Sequence, residues 1–265
     1  MMLAAIMLLP RLLTAGDEPK DAVQLAVPRV QYRPNEASAT RSPWIDANGW
    51  RILRAPDRTF VYRAEGNAAA LAAAEAFTYG AQALIGADAA GTEAFGRMLE
   101  FLRRIPDAEL NSVADIGVVD DGTDPTGELM NLLARQNLLY KLELAPDSKL
   151  RVNLPAGVKA GDPNLLAHQI RAQLSDENRS LRIYGSEVVI ARLMANSRQA
   201  RVYLLNYSNR AVRGLRVRVR GAFTKGESRV FGVTDAHLED WLPERDATEF
   251  TVPELGAFAV IDLFR

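Results

Sequence analysis

The period of the apolar positions changes along this chain. From Trp50 onward short apolar runs alternate with helix-like stretches: Thr59-Phe60-Val61-Tyr62-Arg63 reads as a strand, residues 67–79 as an alanine-rich helix stopped by Gly80, and Gln82-Ala83-Leu84-Ile85-Gly86 as a buried strand. Phe95, Met98, Leu99 and Leu102 recur at the three-and-four spacing of one helix face, which predicts a helix running from Thr92, as N-cap, through Arg104. A third cycle follows, with a strand over residues 114–120, the turn Asp121-Gly122-Thr123, and a helix to Asn137 that Asp124 caps with Pro125 at its first position. Residues 138–144 read as another strand, 147–161 as loop and short strand, and 164–174 as a last helix. Strand alternating with helix predicts an α/β fold with a mainly parallel sheet and flanking helices.

Beyond Arg179 the helical period disappears. Residues 181–184, 188–193, 201–206, 215–219 and 258–263 are short strands between turn residues, predicting a C-terminal antiparallel β-sandwich. Arg216-Val217-Arg218-Val219-Arg220 alternates strictly, which turns the valines inward and puts the three arginines on one outer face. Such a row could bind an acidic glycan, and it better suits a solvated face that discourages edge-to-edge pairing. The expected division is 1–16 as a leader of the signal-peptide kind, 17–48 as a linker or extended arm, 49–178 as the α/β domain and 179–265 as the β-sandwich domain.

Composition removes several kinds of chemistry. Lys plus Arg number 32 against 33 Asp plus Glu, so there is almost no net field to attract nucleic acid or anionic lipid, and neither is expected as a partner. The absence of cysteine excludes disulfides, a thiolate nucleophile and cysteine-bound metals, and two histidines, His168 and His237, exclude a multi-histidine site. No metal or cofactor is expected, and no glycine-rich phosphate loop points to a nucleotide. The leader MMLAAIMLLPRLLTAG is too short for a stable membrane span, which takes about 20 residues, and it implies a periplasmic or secreted protein.

Asp120, Asp121 and Asp124 leave the carboxyl end of a strand and enter a helix, where open α/β sheets bind ligands. Carboxylates so grouped can hold a hydrated cation or sugar hydroxyls, and they are also the ordinary residues of turns and caps. Glu65, Asp88 and Asp121 stand just past strand ends, at the edge where a glycosidase's pair of carboxylates would sit, and Glu75 lies inside the alanine-rich helix. Trp44, Trp50 and Trp241 can stack on sugar rings or serve as packing. No Gly-x-Ser-x-Gly supports a serine hydrolase, and both histidines read as surface or partly buried residues.

Gly49-Trp50 and Phe60-Val61-Tyr62-Arg63, with Ala74-Glu75-Ala76-Phe77-Thr78-Tyr79-Gly80-Ala81, resemble the closing strand–helix repeats of bacterial glycoside-hydrolase-like TIM-barrel proteins. Ile116-Gly117-Val118-Val119-Asp120-Asp121, with the run from Leu132 to Tyr140, looks like the Rossmann-like, glutamine-amidotransferase-like domain that often follows such barrels. Arg182-Ile183-Tyr184-Gly185, Leu204-Leu205-Asn206-Tyr207 and the run from Thr248 to Leu255 are similar to their terminal β-sandwich. The amidotransferase nucleophile is a cysteine, which this chain lacks, and a full barrel takes about 250 residues by itself, so the family's catalytic acids have no matching positions. The resemblance therefore implies an exported accessory or scaffold protein related to carbohydrate-active enzymes, non-catalytic and with a carbohydrate partner. Two other readings stay open: a glycoside hydrolase using a carboxylate pair at the sheet's carboxyl edge, and a structural oligomerisation module that forms a homo-oligomer.

Overall fold

The computed structural model describes residues 8–14, 16–31, 43–157 and 162–265; the rest of the expected leader, arm and 147–161 loop lies outside the described residues. The first layer comprises β1 (Arg11–Leu12), β2 (Val23–Leu25), β3 (Arg29–Gln31), β4 (Trp44–Asp46), α1 (Gly49–Arg54), β5 (Thr59–Arg63), α2 (Asn67–Tyr79), β6 (Gln82–Gly86) and α3 (Ala89–Arg103). The second comprises β7 (Asn111–Ser112), β8 (Ile116–Val119), α4 (Asp124–Arg135), β9 (Tyr140–Glu143), β10 (Val152–Leu154) and α5 (Pro163–Leu174). The C-terminal part is all strand: β11 (Leu181–Tyr184), β12 (Val189–Ala195), β13 (Gln199–Asn206), β14 (Val212–Arg220), β15 (Lys225–Val230), β16 (Glu239–Pro243), β17 (Ala247–Leu255) and β18 (Phe258–Phe264).

The expected parallel sheet is divided in two. One has the order β1-β6-β5-β2 and the other β10-β8-β9, every pairing in both being parallel. Two antiparallel sheets follow, β11-β14-β17-β16 and β15-β18-β13-β12-β7, and β3 pairs with β4 as a separate ribbon. The fold is thus mixed α/β and rich in sheet. Strands β1, β2 and β3 fall in segments expected as leader and arm, and β7 crosses from the α/β region to pair antiparallel with β12.

Helix α2 is buried nearly all round because alanine is both the best helix former and small enough to bring backbones close. It ends at Gly80, whose φ of 68° is left-handed, with the Gly80 and Ala81 amides donating to the Phe77 and Ala76 carbonyls. Two helix starts differ from expectation. Helix α3 is capped by Asp88, whose Oδ1 accepts from the Gly91 amide at 2.7 Å, so Thr92 lies within the first turn. Helix α4 has Thr123 at its N-cap, which moves Asp124 to the first helical position.

Packing joins the parts. Phe60, Tyr62 and Ile85 of the first sheet share one core with α2, α3 and the outward residues Tyr203, Phe258 and Val260 of β13 and β18. The inward residues of the two antiparallel sheets, including Val202, Leu204, Val217, Val219, Phe250 and Ile261, form a second core, as the alternation of β14 predicts. Polar hooks fix the seams. The Asn137 side chain donates to the Val189 carbonyl at 2.9 Å and accepts from the Ala191 amide at 2.7 Å, pairing with β12 as a strand would. Asp115 accepts from both the amide and the hydroxyl of Ser180, at 2.8 and 2.7 Å.

Candidate functional site

Because β1, β5 and β6 run parallel, their carboxyl ends open on one edge. A cleft of about 530 Å³ lies there, lined among others by Leu13, Glu18, Arg63, Glu65, Gly86 and Asp88. Arg63 Nη2 donates to Glu18 Oε2 at 2.5 Å, which partly neutralises the rim. Asp88 Oδ1 accepts from the Gly66 amide at 2.9 Å as well as from Gly91, and these two amides hold its carboxyl below the ordinary range. Glu65 is exposed in this cleft.

The loop after β8 is fastened in the same manner. Asp121 accepts from the Thr123 hydroxyl at 2.7 Å, the Thr123 amide at 3.0 Å and the Gly157 amide at 3.0 Å, which hold its carboxyl far below the usual range. Asp120 accepts from Arg54 Nη2 at 2.7 Å and from the Gly122 amide at 3.1 Å. Arg54 also donates to the Thr123 carbonyl at 2.8 Å and lies 5.2 Å from the Trp50 ring centre. Asp120 and Trp50 are thereby brought together through Arg54, a residue that the sequence pattern does not mark. Asp124 is exposed at the start of α4.

The three tryptophans are seated on different partners. Trp50 lies against α4, so close that a Cβ added at Gly127 would stand 2.4 Å from its Cζ3. Gly127→Ala is therefore expected to destabilise by roughly 1–3 kcal/mol despite alanine's better helix propensity, read as a lower urea midpoint at unchanged slope. Trp44 donates from Nε1 to Asp46 Oδ1 at 3.0 Å, with the Arg135 guanidinium 4.8 Å from its ring centre. Trp241 stacks on Phe250, centres 5.8 Å apart, and its ring covers Gly226, closing one end of the space between the antiparallel sheets.

His168 is exposed on α5. His237 is also exposed, and its pKa is raised by the Asp235 carbonyl at 3.2 Å and by Glu239 at 3.3 Å. Among the described residues no three His, Asp or Glu side chains converge as a metal site, and no described helix is long and apolar enough to cross a membrane.

The most thoroughly enclosed acid is Glu75. Its Oε1 accepts from the Asn48 amide (2.8 Å) and the Tyr207 hydroxyl (2.6 Å), and Oε2 from Asn48 Nδ2 (2.9 Å) and the Tyr62 hydroxyl (2.9 Å). One carboxylate thus ties α1, β5 and α2 to the loop after β13. The one sequence signal for it is a lone glutamate inside an alanine-rich helix.

No protein-family model matches the chain, and no curated protein matches it in sequence. Among solved structures, the α-L-fucosidase isoenzyme 2 from Paenibacillus thiaminolyticus is similar over 79% of this chain and 61% of that one, with a TM-score of 0.60 and 8% identity. The chain thus spans less than two thirds of the fucosidase's length. An α-amylase from H. orenii aligns over 81% of this chain and 55% of its own at 10% identity, with a TM-score of only 0.21. At 8% identity the likeness to the fucosidase shows a shared fold alone.

Proposed function

We propose that this protein is an exported accessory scaffold related to carbohydrate-active enzymes, without glycosidase chemistry of its own, that binds a glycan. The reading draws its carbohydrate class from the shared fold, and it takes the two parallel sheets as the end of a barrel and an amidotransferase-like layer and the antiparallel sheets as a terminal sandwich from the sequence resemblance. The observation that carries the non-catalytic part is the use of the edge carboxylates. Asp88 and Asp121 are spent on backbone amides and held in the ionised range, whereas a glycosidase needs one carboxyl raised so that it can protonate a leaving oxygen. Glu65, the remaining edge acid, stands exposed in the cleft.

A glycan array probed with the full chain tests this, followed by thermal unfolding with each hit. A specific sugar at one hundred times its Kd is expected to stabilise the fold by about 2.7 kcal/mol. Turnover of a chromogenic glycoside that Glu65→Gln abolishes would instead establish an enzyme and overturn the proposal. Export belongs to the same reading, and the N-terminus of protein recovered outside the cytoplasm checks it.

A further inference from the structure

Strand β15 is a free edge of the five-stranded antiparallel sheet and pairs with β18 alone. The Phe231 amide donates to the Phe258 carbonyl at 2.9 Å, and bonded positions alternate along an antiparallel pair. Lys225, Glu227 and Arg229 therefore turn their backbone groups to β18, while Gly226 and Ser228 turn theirs outward, where no described residue meets them. Natural sheets ordinarily blunt such an edge. Strand β7 is two residues long and β11 four, and β16 carries a bulge and ends in Pro243. Strand β15 itself has six residues in regular register, with neither bulge nor proline. A cleft of about 600 Å³ lies against it, lined by Thr224 to Arg229 together with His237, Leu238 and Trp241.

The charges of this strand alternate in sign. Lys225, Glu227 and Arg229 share one face, opposite Phe264, Asp262 and Val260 of β18, whereas Gly226 and Ser228 face inward opposite Leu263 and Ile261 of the second core. Arg229 is held by the buried Asp262 at 2.8 Å, and His237 is answered by Glu239 at 3.3 Å. Lys225 and Glu227, 66% and 38% exposed, meet each other at 2.6 Å, an open contact that costs little to exchange. We infer that a second copy of this chain adds to β15 as an antiparallel strand about a twofold axis at Gly226, joining two sheets into one. Pairing centred there sets Lys225 of each copy opposite Glu227 of the other, and Gly226, which has no side chain, opposite itself. Centred on Glu227 instead, like would meet like, with Glu227 against its own counterpart and Lys225 against Arg229. Charge thus selects both occupant and register, because an edge of a single sign would repel its own copy wherever it was centred.

Sedimentation equilibrium of the full chain over a wide range of concentration tests this. The wild type is expected to rise from the monomer mass to twice that mass as concentration increases. Glu227→Lys sets lysine against lysine and should stay monomeric, and Lys225→Glu, which sets glutamate against glutamate, should do the same. Mixed in equal amounts, the two variants should recover the doubled mass, since each supplies the charge that the other lacks. Ser228→Pro removes an outward N–H and nothing from the ladder between β15 and β18, so it should keep the wild-type melting temperature and remain monomeric. If it unfolds, the two charge variants and their mixture decide. A wild type that is monomeric throughout, a dimer that survives Glu227→Lys, or a mixture that fails to pair would overturn the inference.

Discussion

Asp262→Ala is expected to lower stability by about 3–5 kcal/mol, because it strands a buried cation. Asp262 Oδ1 accepts from Arg201 Nε at 2.6 Å, and Oδ2 accepts from Arg201 Nη2 at 3.1 Å and Arg229 Nη1 at 2.8 Å. The Arg201 and Asp262 side chains are 2% and 4% exposed, so water cannot replace the lost anion. Arg229 has a second partner in Glu227 at 3.3 Å, whereas Arg201 Nη1 already has none among the described residues. Arg229→Ala should accordingly cost only about 1 kcal/mol, since it leaves the buried pair whole. Substituting both Arg201 and Asp262 by apolar residues of similar volume is expected to come close to neutral, since burying the two charges costs much of what their attraction returns. Urea unfolding of the three variants settles the order. If Arg229→Ala matched Asp262→Ala, the buried pair would not be what the aspartate secures.

Glu75→Ala should be comparably damaging, also about 3–5 kcal/mol, by a different route. It leaves the Asn48 amide and side chain and the hydroxyls of Tyr62 and Tyr207 without their acceptor in a site closed to water. Tyr207→Phe removes one donor and leaves the carboxylate three, so about 1–2 kcal/mol is expected. Burial raises the Glu75 pKa, and the bonds from Tyr207, then Asn48 and Tyr62, pull part of the way back. The native state then holds this proton more tightly than the unfolded chain does. Its contribution is greatest in acid, declines as pH climbs from the ordinary glutamate range to the raised value, and levels beyond it. Glu75→Gln cannot titrate, so the stability gap between wild type and variant should narrow over that rise in pH. A gap that widened would show the four donors outweighing burial.

Several elements could be read directly because their causes are local. Gly80 ends α2 where a left-handed residue is needed, and the strict alternation around Val217 and Val219 places both in the core of the antiparallel sheets. The starts of α3 and α4 were misplaced because each has two capping residues within a turn, and the choice depends on which carboxylate a distant amide engages. Asp88 is held by Gly66 as well as Gly91, and Asp121 by Gly157 as well as Thr123. Strand β15 escaped because Lys225-Gly226-Glu227-Ser228-Arg229 is almost wholly polar; pairing with β18 holds it, with its charges around Asp262 and Gly226 beneath Trp241. The division into two parallel sheets was hidden for a related reason. Strands β1 and β2 are 2 and 3 residues long, too short to carry a period.

The sequence by itself determined the alternation of strand and helix between Trp50 and Leu174, the change to all-strand structure after Arg179 and the exclusion of cysteine chemistry, since these depend on neighbours in the chain or on composition alone. Only the tertiary structure decided which charges are spent and which remain free. Glu75 meets donors 27 and 132 residues away, and Asp262 meets Arg201 across 61. A charged side chain far outreaches its own turn or strand, and its partner is set by how whole layers pack, which no local pattern of residues encodes.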